Sequence, residues 1–250
     1  MYMLWSLASL SAALVTQAPS LASPPEPTPL QPLVHGSRAE PCVALTFDAC
    51  ATRAPNGYDA RVVEVLVATN TPATLFLSGK WLEREPDEAR HLASLPNIEI
   101  ASHGYAHRHL TRMSDEAMQS DLVLAQETFM RLLGQAPLLF RPPYAESSDR
   151  LARVAAELGL VTVTYDLASG DPDARIPKHK LIDYVVDMAK NGAIVVMHMN
   201  LRGWHTADAL PDIIAGLRHR GFELVTVSEL EARQARLDES LTSCAPGVRN

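Results

Sequence analysis

From Cys42 onward the chain alternates short apolar or β-branched runs with longer stretches of helical period. Val43-Ala44-Leu45-Thr46-Phe47 reads as a strand that ends on Asp48. Tyr58 to Thr69 places Val62, Val63, Leu66 and Val67 on one face with Arg61 and Glu64 outside it, which predicts a helix. Ala73–Ser78 is a second strand, Trp81–Ser94 a helix, and Ile98–Ser102 a strand running into His103. Ser114 can cap a helix that carries Asp115 and Glu116 in its first turn and ends near Gly134. Leu138–Phe140 is a short strand, Ser148–Leu158 a helix closed by Gly159, and Leu160–Tyr165 a strand meeting Asp166. Lys178–Lys190 is a helix, Ala193–Met197 a strand meeting His198, and Thr206–Arg220 a helix closed by Gly221. Phe222–Val227 is the last strand, and Ser228 can cap a short terminal helix.

Strict alternation of this kind, with strands apolar on both faces, predicts a parallel sheet covered by helices. Polar residues end several separate strands, whereas an open doubly wound sheet concentrates its site at one switch point. The pattern therefore predicts a single α/β domain, a distorted (β/α)7-type barrel over residues 39–235. No GxGxxG or P-loop spacing occurs, so no nucleotide cofactor is expected.

The ends read differently. Residues 1–22 have an apolar stretch from Leu4 to Val15 and small residues at Ser20-Leu21-Ala22, the pattern of a cleaved export signal, although Lys and Arg are missing before it. Ser6, Ser9, Ser11, Thr16 and Gln17 interrupt it too often for a membrane anchor of roughly 20 apolar residues. The expectation is a periplasmic or secreted protein with no stable membrane insertion after signal cleavage. Residues 23–38 form a Pro-rich linker, so the fold is expected to begin near Arg38, and residues 236–250 a C-terminal tail. A net charge of −7 gives no reason to expect nucleic acid or an anionic membrane surface as partner. Three cysteines, Cys42, Cys50 and Cys244, leave at least one thiol unpaired within the chain; a Cys42–Cys244 bridge is one possibility. Their spacing does not suggest a thiolate zinc site.

Taken together the strand ends carry Asp48, His103 with His107, Arg141 with Tyr144, Asp166 and Asp171, and His198. That is an inventory for acid–base and metal chemistry at one mouth. His103 and His107 have the spacing of two imidazoles on one helical turn, which can share a metal; the same spacing also arises on solvated helices. His91, His109, His179 and His219 read as surface or capping residues. Trp204 follows the last histidine of the inventory on a loop, where it can stack on a sugar ring or pack in the core or rim.

On these residues the chain resembles the polysaccharide deacetylases of the NodB homology type (carbohydrate esterase family 4), over roughly residues 40 to 232. Thr46-Phe47-Asp48, the His103–His107 pair, Arg141-Pro142-Pro143-Tyr144, Asp171 and Val196-Met197-His198 follow the order of the family's motifs. The resemblance implies that Asp48 is the general base and that Arg141 orients it. It implies that the Tyr144 main-chain N–H helps hold the oxyanion, that His198 is the general acid tuned by Asp171, and that Val196 lines the acetyl pocket. It also implies a divalent metal, Zn²⁺ first, on His103 and His107.

The chain departs from the pattern in three places. Ala49 stands where the family usually has a second, metal-ligating Asp, with Cys50 where Gly is common. Gly104 replaces Ser or Thr, and Pro172 replaces the Trp that walls the acetyl pocket. The missing ligand has four readings: Asp48 itself, Asp59 from the next helix, a Cys50 thiolate, or no tightly held metal. The function implied is removal of N-acetyl groups from an amino-sugar glycan, peptidoglycan or another N-acetylglucosamine polymer. The alternatives are an amidohydrolase of a small linear or cyclic amide, and a catalytically degenerate barrel that binds glycan.

Overall fold

A computed structural model describes residues 30–51 and 57–243. The expected export signal, the first part of the Pro-rich stretch and Cys244 with the end of the tail lie outside the described residues.

The strands are β1 (Cys42–Ala49), β2 (Ala73–Leu77), β3 (Ile98–Ser102), β4 (Leu139–Phe140), β5 (Val161–Thr162), β6 (Leu167–Ala168), β7 (Ala193–His198) and β8 (Glu223–Val225). The helices are α1 (Ala60–Ala68), α2 (Gly79–Arg84), α3 (Pro86–Ser94), α4 (Asp115–Leu133), α5 (Asp149–Glu157), α6 (Lys178–Met188), α7 (Thr206–His219) and α8 (Val227–Ser243). All pairings between these strands are parallel, in the order β5-β4-β3-β2-β1-β7-β6. The sheet curls into the expected distorted (β/α)7 barrel, open between β5 and β6. A strand has only two edges. β7 takes one edge of β1 over Val43–Asp48, so the other is divided between β8 at Cys42–Ala44 and β2 at Thr46–Ala49.

The alternation of β1 sorts its side chains. Val43, Leu45, Phe47 and Ala49 enter the large core between sheet and helices, while Cys42 and Ala44 join the smaller cluster inside the barrel. Each fully buried Leu or Phe of the outer layer contributes about 1.5–3 kcal/mol. Thr46 and Asp48 share the inward parity, which carries Asp48 to the mouth.

Four expectations need correction. The helix expected over Trp81–Ser94 is two helices, because Pro86 lacks an N–H and disfavours helical geometry at Glu85, which caps one helix and starts the next. The strand expected over Leu160–Tyr165 is only Val161–Thr162, and the chain then crosses to the far end of the sheet to form β6. The terminal helix starts at Val227 and runs to Ser243, well into the expected tail; Ser228 lies inside it, and the cap is Thr226, whose hydroxyl accepts from the Glu229 N–H. The fold also begins before Arg38. Leu33 pairs in parallel with Val163, Gly36 N–H donates to Gly192, and Arg38 bonds Asp166 and the Asn191 carbonyl. This arm crosses the gap between β5 and β6, supplying partners to backbone groups that an open edge would leave unpaired.

Candidate active site

Asp48, next to last in β1, has its carboxylate in the barrel mouth, beside Arg141, which follows β4. Arg141 Nη1 donates to Asp48 Oδ1 and to Thr46 Oγ1, both at 2.8 Å, and Nη2 donates to the Thr164 carbonyl at 3.2 Å. The Thr46 hydroxyl in turn donates to Val195 O at 2.7 Å. The guanidinium is buried and lies 3.9 Å from the centre of the Phe76 ring. Burial pushes the Asp48 carboxyl up, but the charge and hydrogen bond of Arg141, together with the nearby His103 and His198, outweigh it and hold the group below the usual carboxylate range.

His103 follows β3 and is 3% exposed. Its Nδ1 is 2.8 Å from the Arg141 carbonyl, which can only accept, so Nδ1 carries the proton and Nε2 keeps a free lone pair. That Nε2 lies 3.8 Å from Asp48 Oδ2. The His107 ring is 5.0 Å away, centre to centre. Burial, with His103 next to it, brings His107 down to about 4, and burial also lowers His103; both imidazoles are neutral near pH 7. Gly104 between them has φ +69°, and Tyr105 N–H donates to the buried Asp121. The Gly in place of the family's Ser or Thr therefore suits a left-handed position.

His198 at the end of β7 faces the same cleft. Asp171 Oδ1 accepts from His198 Nδ1 at 2.9 Å, and Oδ2 accepts from its main-chain N–H at 2.7 Å. Ser169 and Thr206 hydroxyls donate to the same carboxylate at 3.0 and 2.6 Å. Burial pulls the His198 imidazole down, but the Asp171 bond and charge outweigh it and leave it raised. Tyr144 stands at the lip with φ 61°, a left-handed conformation continued by Ala145 at 58°. Its ring stacks on His109 at 3.9 Å, and its hydroxyl donates to the His107 carbonyl. Glu146 braces the turn by accepting from His109, Thr111 and Arg112.

The cleft of about 230 Å³ is lined by Asp48, His103, His107, Arg141, Tyr144, Asp171, Pro172, Val196 and His198, among others. Asp166 is not among them: it accepts from Ile194 N–H near the start of β7 and pairs with Arg38, at the opposite end of the barrel. Asp59 caps α1 and holds Arg61 at 2.8 Å, and it is not among the cleft-lining residues. Cys50 Sγ accepts from Asn200, and burial raises its thiol. Among the described residues Cys42 and Cys50, at opposite ends of β1, form no disulfide.

The cleft thus offers two neutral imidazoles and one free oxygen of an ionised carboxylate, a donor set that suits a divalent ion. Among the described residues no group of three or more His, Cys, Asp and Glu is gathered in a ligating arrangement. The fit extends to the His pair, with Asp48 or solvent to complete it.

Sequence reasoning missed Thr46, Ser169, Thr206, His109 and Glu146. Strand parity with Asp48 was a signal for Thr46. The others carry no local signal, because tertiary packing alone brings them to the site.

Residues 35–163 match the polysaccharide deacetylase family model. The chain is 31% identical over 194 residues to a peptidoglycan-N-acetylglucosamine deacetylase of Bacillus cereus, covering 76% of this chain and 88% of that one. It is 28% identical over 198 residues to the peptidoglycan-N-acetylmuramic acid deacetylase PdaA of Bacillus subtilis, covering 78% and 73%. Among solved structures it is similar to a mutant, with restored enzymatic activity, of a carbohydrate esterase family 4 pseudoenzyme from Bacillus anthracis. That likeness has a TM-score of 0.74 at 25% identity and covers 81% of this chain and 71% of the other. With its motifs gathered at one barrel mouth, the chain belongs to the polysaccharide deacetylase family, hydrolases of the N-acetyl amide bonds of glycans.

Proposed function

We propose that this is an exported, metal-dependent deacetylase of an amino-sugar glycan, with the N-acetylated sugars of peptidoglycan as its substrate class. The observation that carries the reading is one cleft in which the Arg141–Asp48 pair stands beside the neutral His103 and His107, together with the His198–Asp171 pair.

Deacetylation adds water across the amide: a carbon–oxygen bond forms, the carbon–nitrogen bond breaks, and acetate and a free amine leave. Asp48, kept ionised by Arg141, accepts the proton of the attacking water. Arg141, fixed by Thr46 and Thr164, holds that carboxylate in one orientation. The Tyr144 main-chain N–H, on its left-handed turn, would donate to the oxyanion. His198, held protonated by Asp171, gives its proton to the amine nitrogen as it departs. Val196 and Pro172 bound the space for the acyl methyl. His103 and His107 would hold a divalent metal, Zn²⁺ first, which when bound supplies carbonyl polarisation and an acidified water. The apolar leader and the relatives that act on peptidoglycan support export to the periplasm or beyond.

A glycan-binding barrel without turnover is the second reading, favoured by Ala49 at the family's Asp position and by the likeness to a pseudoenzyme. Acetate release from N-acetylated peptidoglycan, measured on chelator-stripped protein with and without added Zn²⁺, decides between them. Zinc-dependent release supports the deacetylase. Glycan binding with no release under either condition supports the second reading.

A further inference from the structure

A cleft of about 230 Å³ is smaller than the roughly 300–1,000 Å³ typical of sites that enclose a drug-sized ligand. It has room for the reacting acyl group and little of a polymer, so neighbouring sugar units must lie on the rim. Tyr144, which lines the cleft, is 52% exposed, and Trp204, whose main chain is bonded to the cleft-lining Asp171, is 59% exposed. The other tryptophan among the described residues, Trp81, is fully buried, with its Nε1 donating to Gly57.

Trp204 is held next to the catalytic pair. Its main-chain N–H donates to the Asp171 carbonyl at 3.1 Å. The preceding Gly203 leaves no slack: a Cβ there would fall 2.6 Å from Asp171 Oδ2 and from the His198 carbonyl. In the same loop Leu201 is 44% exposed in a left-handed conformation, φ 62°. An exposed apolar residue at strained backbone adds nothing to the core, and such strain clusters at binding sites. The loop therefore presents Leu201 and Trp204 to solvent from a rigid base beside the acid His198. An exposed indole on a rigid base is a flat face that matches the C–H face of a pyranose.

We infer that Trp204 is a stacking platform for a pyranose unit adjacent to the one whose acetyl group enters the cleft. The inference rests on the glycan reading and selects for oligomers over single sugars.

The test uses the full chain in a Trp5→Phe background, so that buried Trp81 and exposed Trp204 are the remaining indoles. Emission is followed while N-acetylglucosamine and its β-linked tetramer are titrated in, with acetate release measured in parallel. The tetramer should give a saturable quench or blue shift that the single sugar gives only weakly. Trp204→Ala should abolish the signal and raise the tetramer KM about tenfold with kcat unchanged, and Trp204→Phe should restore part of the affinity. An unchanged emission up to saturating tetramer, or an equal loss for single sugar and tetramer in Trp204→Ala, overturns the inference. A Trp204 signal without acetate release leaves the platform standing and removes the deacetylase reading. Acetate release without a signal does the reverse.

Discussion

Asp171 grips His198 at two points, with Oδ1 on the ring Nδ1 at 2.9 Å and Oδ2 on the main-chain N–H at 2.7 Å. Ring orientation and strand end are set by one buried carboxylate. Burial lowers the imidazole, but the hydrogen bond and charge of Asp171, with the charge of Asp48, outweigh it and leave it raised, so His198 stays protonated further up the pH scale than a free histidine. The stability it contributes is complete below the unfolded imidazole range and is lost as pH rises through the raised folded value. Asp171→Asn removes the charge. The basic limb of kcat/KM should move to lower pH and kcat should fall about a hundredfold or more, read from a pH–rate profile.

The Arg141–Asp48 pair is buried, and removing one member strands the other. Arg141→Ala should cost about 3–5 kcal/mol in denaturant unfolding. It should also raise the Asp48 carboxyl, moving the acidic limb of activity to higher pH, since Arg141 is the largest of the groups that hold that carboxyl down. Arg141→Lys keeps a charge but cannot span Thr46, Asp48 and the Thr164 carbonyl at once, so it should recover only part of either property. Asp48→Asn should lower acetate release by about 10²–10⁴-fold.

His109 and Glu146 lie outside the cleft lining yet hold the Tyr144 turn and, through the Tyr144 hydroxyl, the His107 carbonyl. His109→Ala and Glu146→Gln should each lower kcat about tenfold with little change in KM. Phe at position 109 keeps a ring against Tyr144 and should lose less than Ala. Steady-state kinetics on the three variants checks the order.

Gly203→Ala places a methyl against Thr206 Oγ1, Asp171 Oδ2 and the His198 carbonyl. The His198–Asp171 pair must shift to admit it. A lower melting temperature should accompany a loss in kcat, measured by calorimetry and acetate release.

The hydrophobic pattern alone determined that strands and helices alternate, that the strands are buried on both faces, and that Asp48, His103, Arg141 and His198 end strands. Those features are local: period, punctuation and polarity are written residue by residue. Asp166 shows where locality stops. It follows a β-branched run as Asp48 does, but the chain crosses the barrel opening after Thr162, so Asp166 binds Arg38 and Ile194 at the opposite end. Whether a residue ends one strand or precedes another depends on pairing between segments far apart in the chain.

Only the tertiary structure decided the remaining features. The arm from Leu33 to Arg38 looked like a Pro-rich spacer, and it is ordered because the sheet leaves backbone groups open between β5 and β6. Asp59 could have turned toward the histidines, and Arg61 with the start of α1 holds it instead. Thr46 and Thr206 joined the site through bonds spanning 95 and 35 residues, to Arg141 and Asp171. Trp204 was open between core and surface, and the clamp of Gly203 on Asp171 and His198 left its ring exposed. A side chain's type sets what chemistry it can do. Its partners, burial and charge state follow from contacts between distant segments, and those exist only once the barrel has closed around them.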